Sequence, residues 1–278
     1  EWSGVGFNFM SWQLNFQREL LYAPRTFSQM TYELDWKMLL ESFDFVKLGV
    51  TTMPYDGRDY FSPRLPGRYW QIPKWWAYSG YFSTDYRREF ALDLGGWGAN
   101  GALYPDWHER NFRLEPFWRP NDRLTFSHVY SHQDKFNERG WTSNLDALPS
   151  GELLENTESL WASRNNFSRT HVFNAGYVFD NRQGISFRLR HYWSRVENHQ
   201  FYLLGDDGLL EPTNEVVIDD DGTSPYDISY NAWSIDCVYR WIFAPGSELS
   251  VVWKNVFESQ GEMLPETYSQ NLQDVIEA

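Results

Sequence analysis

One run constrains the fold of this chain more than any other stretch. It reads Asn231-Ala-Trp-Ser-Ile-Asp-Cys-Val-Tyr-Arg-Trp-Ile-Phe243. Its odd positions are Trp233, Ile235, Cys237, Tyr239, Trp241 and Phe243, and its even positions include Ser234, Asp236 and Arg240. Successive side chains of a β-strand point to opposite faces, so this segment has one apolar face and one that carries charge. The next run alternates in the same way, with Leu249, Val251, Trp253 and Phe257 against Ser250 and Lys254. Ala244-Pro-Gly-Ser247 lies between the two and supplies tight-turn residues. Two alternating runs joined by such a turn predict an antiparallel hairpin.

The same unit recurs upstream. Phe187, Leu189, His191 and Trp193 alternate with Ser186, Arg188 and Arg190, and Phe173, Ala175, Tyr177 and Phe179 alternate with Asn174 and Gly176. Similar runs pass through 5–20, 32–39, 43–52, 77–82, 90–94, 112–115 and 124–130, predicting about eleven strands. Their connections alternate in length. Short turns fall near 41–42, 86–88, 120–122, 180–184 and 244–247, and longer or irregular segments cover 55–76, 101–108, 133–166 and 203–226. The first connection, around Ala23-Pro24-Arg25, is a modest member of the long set.

Composition narrows the classes that can host this pattern. The 278 residues include 20 Phe, 17 Tyr and 15 Trp, too much aromatic surface for a disordered chain. A single cysteine excludes a disulfide-stapled scaffold and any Cys-rich metal site. A net charge of −14 disfavours binding to phosphate backbones, so nucleic acid is set aside as a partner. No stretch approaches the roughly 18 consecutive apolar residues of a membrane helix.

Alternating short and long connections, with low average hydropathy and strong local alternation, is the pattern of an outer-membrane barrel: periplasmic turns, extracellular loops, a lipid face and a hydrated lumen. The expected fold is therefore all-β, an antiparallel up-and-down transmembrane β-barrel in the bacterial outer membrane. Trp118, Tyr130, Trp193, Tyr239 and Trp241 suit interfacial girdles, where an aromatic ring is half in lipid and half wet. Glu89, Asp93, Arg113, Glu115, Arg188, Arg190, Asp236, Arg240 and Lys254 are assigned as lumen charges, since charge is tolerable in a hydrated lumen and costly in a dry core. The competing reading is a soluble β-sandwich that binds carbohydrate on exposed aromatic residues. A third is a hydrolase carried by the barrel.

Three stretches carry a resemblance to a known family: Trp241-Ile-Phe-Ala-Pro-Gly-Ser-Glu-Leu-Ser-Val-Val-Trp-Lys-Asn255; His191-Tyr-Trp-Ser194 with Phe201-Tyr202 and Asp207-Gly208; and Pro63-Arg-Leu-Pro-Gly-Arg68 leading to Ser83-Thr-Asp-Tyr-Arg-Arg88. Over roughly residues 40 to 278 the chain resembles the C-terminal barrel region of the family called domain of unknown function 5916. The resemblance implies a Gram-negative outer-membrane barrel. Such proteins usually carry an upstream periplasmic domain similar to family-9 carbohydrate-binding modules, and they are often described as carbohydrate-binding or hydrolase-like on its account. No catalytic residue of the barrel carries over. Eleven strands would leave the two ends of the wall on opposite sides of the membrane. The expectation is therefore a portion of a larger barrel, 1–278 forming a single barrel region without its upstream domain and closing strand.

The expected partners are outer-membrane lipid, a carbohydrate, and other outer-membrane or periplasmic proteins. Arg64, Arg68, Trp70, Trp75 and Trp76, in or beside the 55–76 loop, are candidate ligand residues, since such a loop can fold inward and present stacking surfaces. Asp219, Asp220 and Asp221, following Asp206 and Asp207 in the same long segment, are a weak candidate for Ca²⁺, which takes several carboxylate oxygens. No other cofactor is expected. His128 and His132 have the spacing of a helical zinc pair, but on a strand they lie ~13 Å apart. His128, His171 and His191 fall on the apolar faces of their strands. The Gly-x-Ser-x-Gly elbow of α/β-hydrolases is lacking, and the carboxylates Glu89, Asp93 and Glu115 read as charges pairing with Arg113 or Arg188.

Overall fold

The computed structural model describes residues 6–101, 106–147, 153–214, 216, 224–260 and 267–271. It contains β1 (Phe7–Leu20), β2 (Phe27–Leu40), β3 (Phe45–Met53), β4 (Gly57–Asp59), β5 (Trp70–Ile72), β6 (Trp75–Ser83) and β7 (Phe90–Gly101). These are followed by β8 (His108–Asn121), β9 (Leu124–Ala147), β10 (Leu153–Asp180), β11 (Gln183–Leu204), β12 (Leu210–Thr213), β13 (Ile228–Ala244) and β14 (Ser247–Gln260). Twelve strands form one antiparallel sheet in the order β1-β2-β3-β6-β7-β8-β9-β10-β11-β13-β14, with β12 paired to the end of β11. β4 and β5 make a separate two-stranded ribbon. A single helical turn covers residues 268–271. No helix among the described residues is long and apolar enough to cross a membrane, which says nothing about strands.

The alternation seen in the sequence becomes two unlike faces. On β1, Met10, Trp12, Leu14 and Phe16 point one way and pair with Met38, Trp36, Leu34 and Tyr32 of β2. Val46, Leu48 and Val50 of β3 continue the same face. At the far edge it consists of Trp233, Ile235, Cys237, Tyr239 and Trp241 of β13 beside Phe257, Trp253, Val251 and Leu249 of β14. Among the described residues nothing covers much of it: Leu14 is 72% exposed and Trp12 65%. At Gly98 the Tyr78 ring lies where a Cβ would stand, filling the gap that a glycine leaves in the apolar face.

The opposite face is polar and internally paired. Lys47 reaches Asp35 at 2.9 Å, Asn15 donates to Glu33 at 3.0 Å, and Lys37 donates to Gln13 at 2.7 Å. Further along, Asp236 lies between Arg188 and Lys254 on its two neighbouring strands. Opposite charges alternate across three strands, the sheet counterpart of a favourable helical ion pair.

The connections at one end are short: Leu40 to Phe45, Ser83 to Phe90, Asn121 to Leu124, Asp180 to Gln183 and Ala244 to Ser247. At Gly246 the last of them takes a positive φ of 75°, which glycine adopts without penalty. All the longer connections gather at the other end. The strands are also staggered. Following paired residues sideways from Trp36 leads through Leu48, Gly80, Gly96, Phe112, His132, Arg169 and Trp193 to Asn231. Trp36 is five residues from the short turn at Glu41, whereas Asn231 is fourteen from the one at Pro245. A stagger of roughly one residue per strand means that the strands run tilted to the line of turns, as they do in a barrel wall.

The sheet is not closed, in line with the expectation of an incomplete portion of a barrel: β1 and β14 are its two edges and do not pair with each other. Among the described residues the sandwich reading finds no second layer, because the remaining ribbon comprises two three-residue strands. The segment 133–166 is mostly strand, because β9 and β10 continue through it and pair up to Ala147 and Leu153. Register shifts near Asn137, whose φ is 52°, and at Ser163/Arg164 interrupt the period-two pattern there.

Candidate ligand pocket

β9, β10 and β11 extend well past their neighbours at the long-loop end, and two connections pack onto the extension. Along β10, Ser159, Leu160, Trp161 and Ala162 are all essentially inaccessible. Leu160 and Ala162 pack with Phe201 and Val216, flanked by Leu145, Leu203 and Tyr226. Trp161 packs against Trp70 of the β3–β6 connection with the rings tilted by 39° and their centres 4.9 Å apart, and Ser159 donates to the Pro63 carbonyl at 3.1 Å. Consecutive residues buried on alternate sides mean that this stretch is covered on both faces.

The β3–β6 connection therefore reaches five strands sideways. Arg64 lies over the Trp141 ring at 3.6 Å, and Asn144 donates to the Arg64 carbonyl. Arg68 donates to the Leu204 carbonyl and pairs with Asp206 at 2.7 Å. The Gln71 N–H donates to the Gly208 carbonyl, and the Tyr69 ring occupies the space a Cβ at Gly208 would need.

Where this connection passes over the polar face it closes a cavity of about 520 Å³. The floor follows from residue size. Ala77 and Ala99 are directly opposite each other on β6 and β7, leaving a depression in the sheet surface. Trp75 and Trp97, two residues along their strands from these alanines, stand on the same face as its walls. Trp70, Ile72 and Pro73 line it from the connection, and Trp107, Glu109, Glu138 and Arg139 close the far side. The charges at that side are mutually paired. Lys135 lies 3.5 Å from Glu109 and 2.9 Å from Glu138, Arg164 lies 3.2 Å from Glu138, and Arg139 lies 3.6 Å from Asp106. The buried Trp70 indole N–H has no acceptor among the described residues.

Of the ligand residues expected from sequence, Trp70 and Trp75 line this cavity. Arg64 and Arg68 anchor the connection beside it. Trp76 does not join them: it follows Trp75 in the same strand, so it points to the apolar face, where it is 48% exposed. Trp97, Trp107, Glu109 and Glu138 were missed, and of these only Trp97 left a trace, as the sole bulky residue in Gly95-Gly-Trp-Gly-Ala99.

The family model described as Domain of unknown function (DUF5916) matches residues 4–278. The chain belongs to that family. A comparison with the curated proteins finds no match. In this DUF5916 chain, Asp93, Arg113, Glu115, Arg188, Arg190, Asp236, Arg240 and Lys254 share the polar face by strand register. Glu89 does not, because it sits in the short turn before β7, where it accepts the Trp118 indole N–H at 3.0 Å. Asp93 and Glu115 lie opposite each other, but each is engaged, Asp93 by the Tyr81 hydroxyl at 2.7 Å and Glu115 by Arg113 at 2.7 Å. The Arg240 guanidinium pairs with Glu248 at 2.6 Å.

His128, His171 and His191 form a row on the apolar face. His128 and His171 share a hydrogen bond at 2.9 Å, and His191 stacks on Trp233 at 3.9 Å and bonds Asn231. Tyr268 of the helical turn lies over His171 and His191 and edge-on to Trp193. Among the described residues no cluster of three or more His, Cys, Asp or Glu is placed to hold a metal. Asp219, Asp220 and Asp221 lie outside the described residues, and Asp207 caps its own turn by accepting the Leu209 N–H.

The short-turn end of this DUF5916 sheet carries a clamp between two turns. The Arg88 guanidinium reaches Asp44 at 3.2 Å, and the Asp85 N–H donates to Asp44 at 3.1 Å. Arg87, through its side chain and its N–H, holds the Asp85 carboxyl down to about 2. Asp44 is lowered by the Ser42 hydroxyl first; burial opposes this, and the Asp85 N–H and Arg88 add to the lowering.

Proposed function

We propose that this chain is the wall of a bacterial outer-membrane β-barrel that takes part in the uptake or surface handling of glycans or another polymer. Its short turns would lie in the periplasm and its long connections at the cell surface. One observation carries the reading: a band of large apolar side chains runs along one face from β1 to β14, and among the described residues no second layer covers most of it. A soluble sheet buries such a face against another element. Trp118 and Trp241 mark the short-turn border of the band and Tyr130 the other, as aromatic girdles require, whereas Trp193 is enclosed beneath Tyr268 and does not serve as a girdle residue. The paired charges of the opposite face suit a hydrated interior, and the stagger is that of tilted barrel strands. Closure would come from further strands pairing with the two edges, since an open edge cannot face lipid.

The test is solubility and location. The intact protein should fractionate with outer membranes and remain folded and monodisperse only in detergent or lipid. A folded, monodisperse protein in detergent-free buffer overturns the barrel.

A further inference from the structure

We propose that the cavity beneath the β3–β6 connection binds a short stretch of a neutral oligosaccharide at the extracellular mouth of the barrel; its location at that mouth rests on the membrane reading above. Two features of the cavity select the ligand. Trp70, Trp75, Trp97 and Trp107 offer four indoles around one space of about 520 Å³, within the size range of small-ligand sites. Indole surface of this extent suits a ligand with a broad, weakly polar C–H face, which a pyranose ring provides.

The second feature is charge balance. Glu109 and Glu138 share Lys135, and Glu138 also meets Arg164. No carboxylate stands alone to attract a cation, and the chain carries a net charge of −14, which disfavours a polyanion. Paired charges still offer lone pairs and N–H groups side by side. A hydroxyl donates to a carboxylate and accepts from an ammonium or guanidinium at once, so adjacent sugar hydroxyls match this rim where a singly charged ligand does not.

Position adds a reason for the site. The pocket lies at the long-loop end of the sheet, level with the last apolar residues of the other face (Trp76 and Tyr78), where a chain of sugars arriving from outside would first meet the polar face. Its roof is the connection anchored by Arg64, Arg68 and Pro63 to β9–β11, so the opening is preformed. Preformed aromatic sites lose less in ordering when a flexible ligand binds.

The test uses the intact protein in detergent micelles, with cellohexaose, maltohexaose and xylohexaose as neutral probes and hexagalacturonate as the anionic one, read by isothermal titration calorimetry. Saturable binding of at least one neutral hexasaccharide is expected, weakened tenfold or more by Trp97→Ala and by Trp75→Ala. Trp76→Ala, on the opposite face, should leave affinity unchanged. Trp97→Phe, which retains an aromatic wall, should bind with an intermediate loss, and it replaces Trp97→Ala if that variant does not fold. The proposal is overturned if none of the neutral probes binds, if hexagalacturonate alone binds, or if the pocket variants bind like the parent protein. Failure of the two readings looks different. Binding by a protein that is folded without detergent removes the membrane and keeps the pocket, whereas detergent dependence without binding does the reverse.

Discussion

The two ends of this sheet reach order by different means. On the short-turn side the strands alternate cleanly, register shifts are confined to the last pairs beside the turns, and large apolar groups stay exposed, with Leu34 at 44% and Val251 at 55%. At the long-loop end alternation breaks down, yet that end holds nearly all the side chains that are fully enclosed, among them Trp161, Phe201, Leu160, Leu204 and Pro63. The upper end is a small protein core built by loops folding onto both sides of β10. Among the described residues the lower end has no such core, and its apolar face is left uncovered. On the membrane reading proposed above, lipid would complete that face, and the stability of the sheet would be divided between its own packing and its solvent.

That contrast is testable by substitution. Trp161→Ala should have the largest effect, about 3–5 kcal/mol, because it removes an aromatic side chain that is 1% exposed and unseats Trp70 as well. Denaturant unfolding of the detergent-solubilised protein, with limited proteolysis of the 54–74 segment, measures it. A loss below 1 kcal/mol would mean that the upper end is no core. Leu34→Arg should come next. Leu34 sits mid-band between Leu14 and Val50. Facing lipid, the arginine costs about 2–4 kcal/mol. Facing water, it would fall within roughly 0.5 kcal/mol. Unfolding in lipid vesicles separates the two, and a neutral result would remove the band from the membrane.

The same contrast explains what the sequence reveals. Period-two alternation is visible wherever a strand has two different environments, so the faces of β1, β2, β11, β13 and β14 could be read residue by residue. The turn at Pro245-Gly246 and its counterparts could be read too, since turn residues are local. The continuation of β9 and β10 could not. Between Leu160 and Ala162 both faces are buried, so consecutive apolar residues replace alternation, and the shifts near Asn137 reset the parity. The pocket was half legible. Trp70 and Trp75 stand close in sequence and were readable as a group. Trp97, Glu109 and Glu138 come from three further strands and meet them only through register and the sideways reach of one connection. Trp76 was misread although the means of excluding it were available: two adjacent residues of a strand cannot serve the same face.

The smallest expected effect lies in the clamp between the two turns and concerns pH. Arg87 holds the Asp85 carboxyl at about 2, below the roughly 3.9 of an unfolded aspartate. A carboxylate with a depressed folded value stabilises the native state fully above its unfolded value, and that contribution disappears as pH falls through the folded one. Asp44, lowered in the same direction, acts in concert. Both groups sit in turns at the end of the sheet, half-buried but within reach of water, so screening keeps the effect small. The readout is the difference in melting temperature between the parent protein and Asp85→Asn. The parent should be modestly more stable at pH 5, and the gap should narrow from about pH 4 and vanish near pH 2. Acid acts on this link through the turns alone, so Trp161→Ala should show the same pH profile as the parent. A profile that changed with Trp161→Ala instead would tie the two ends of the sheet into one cooperative unit.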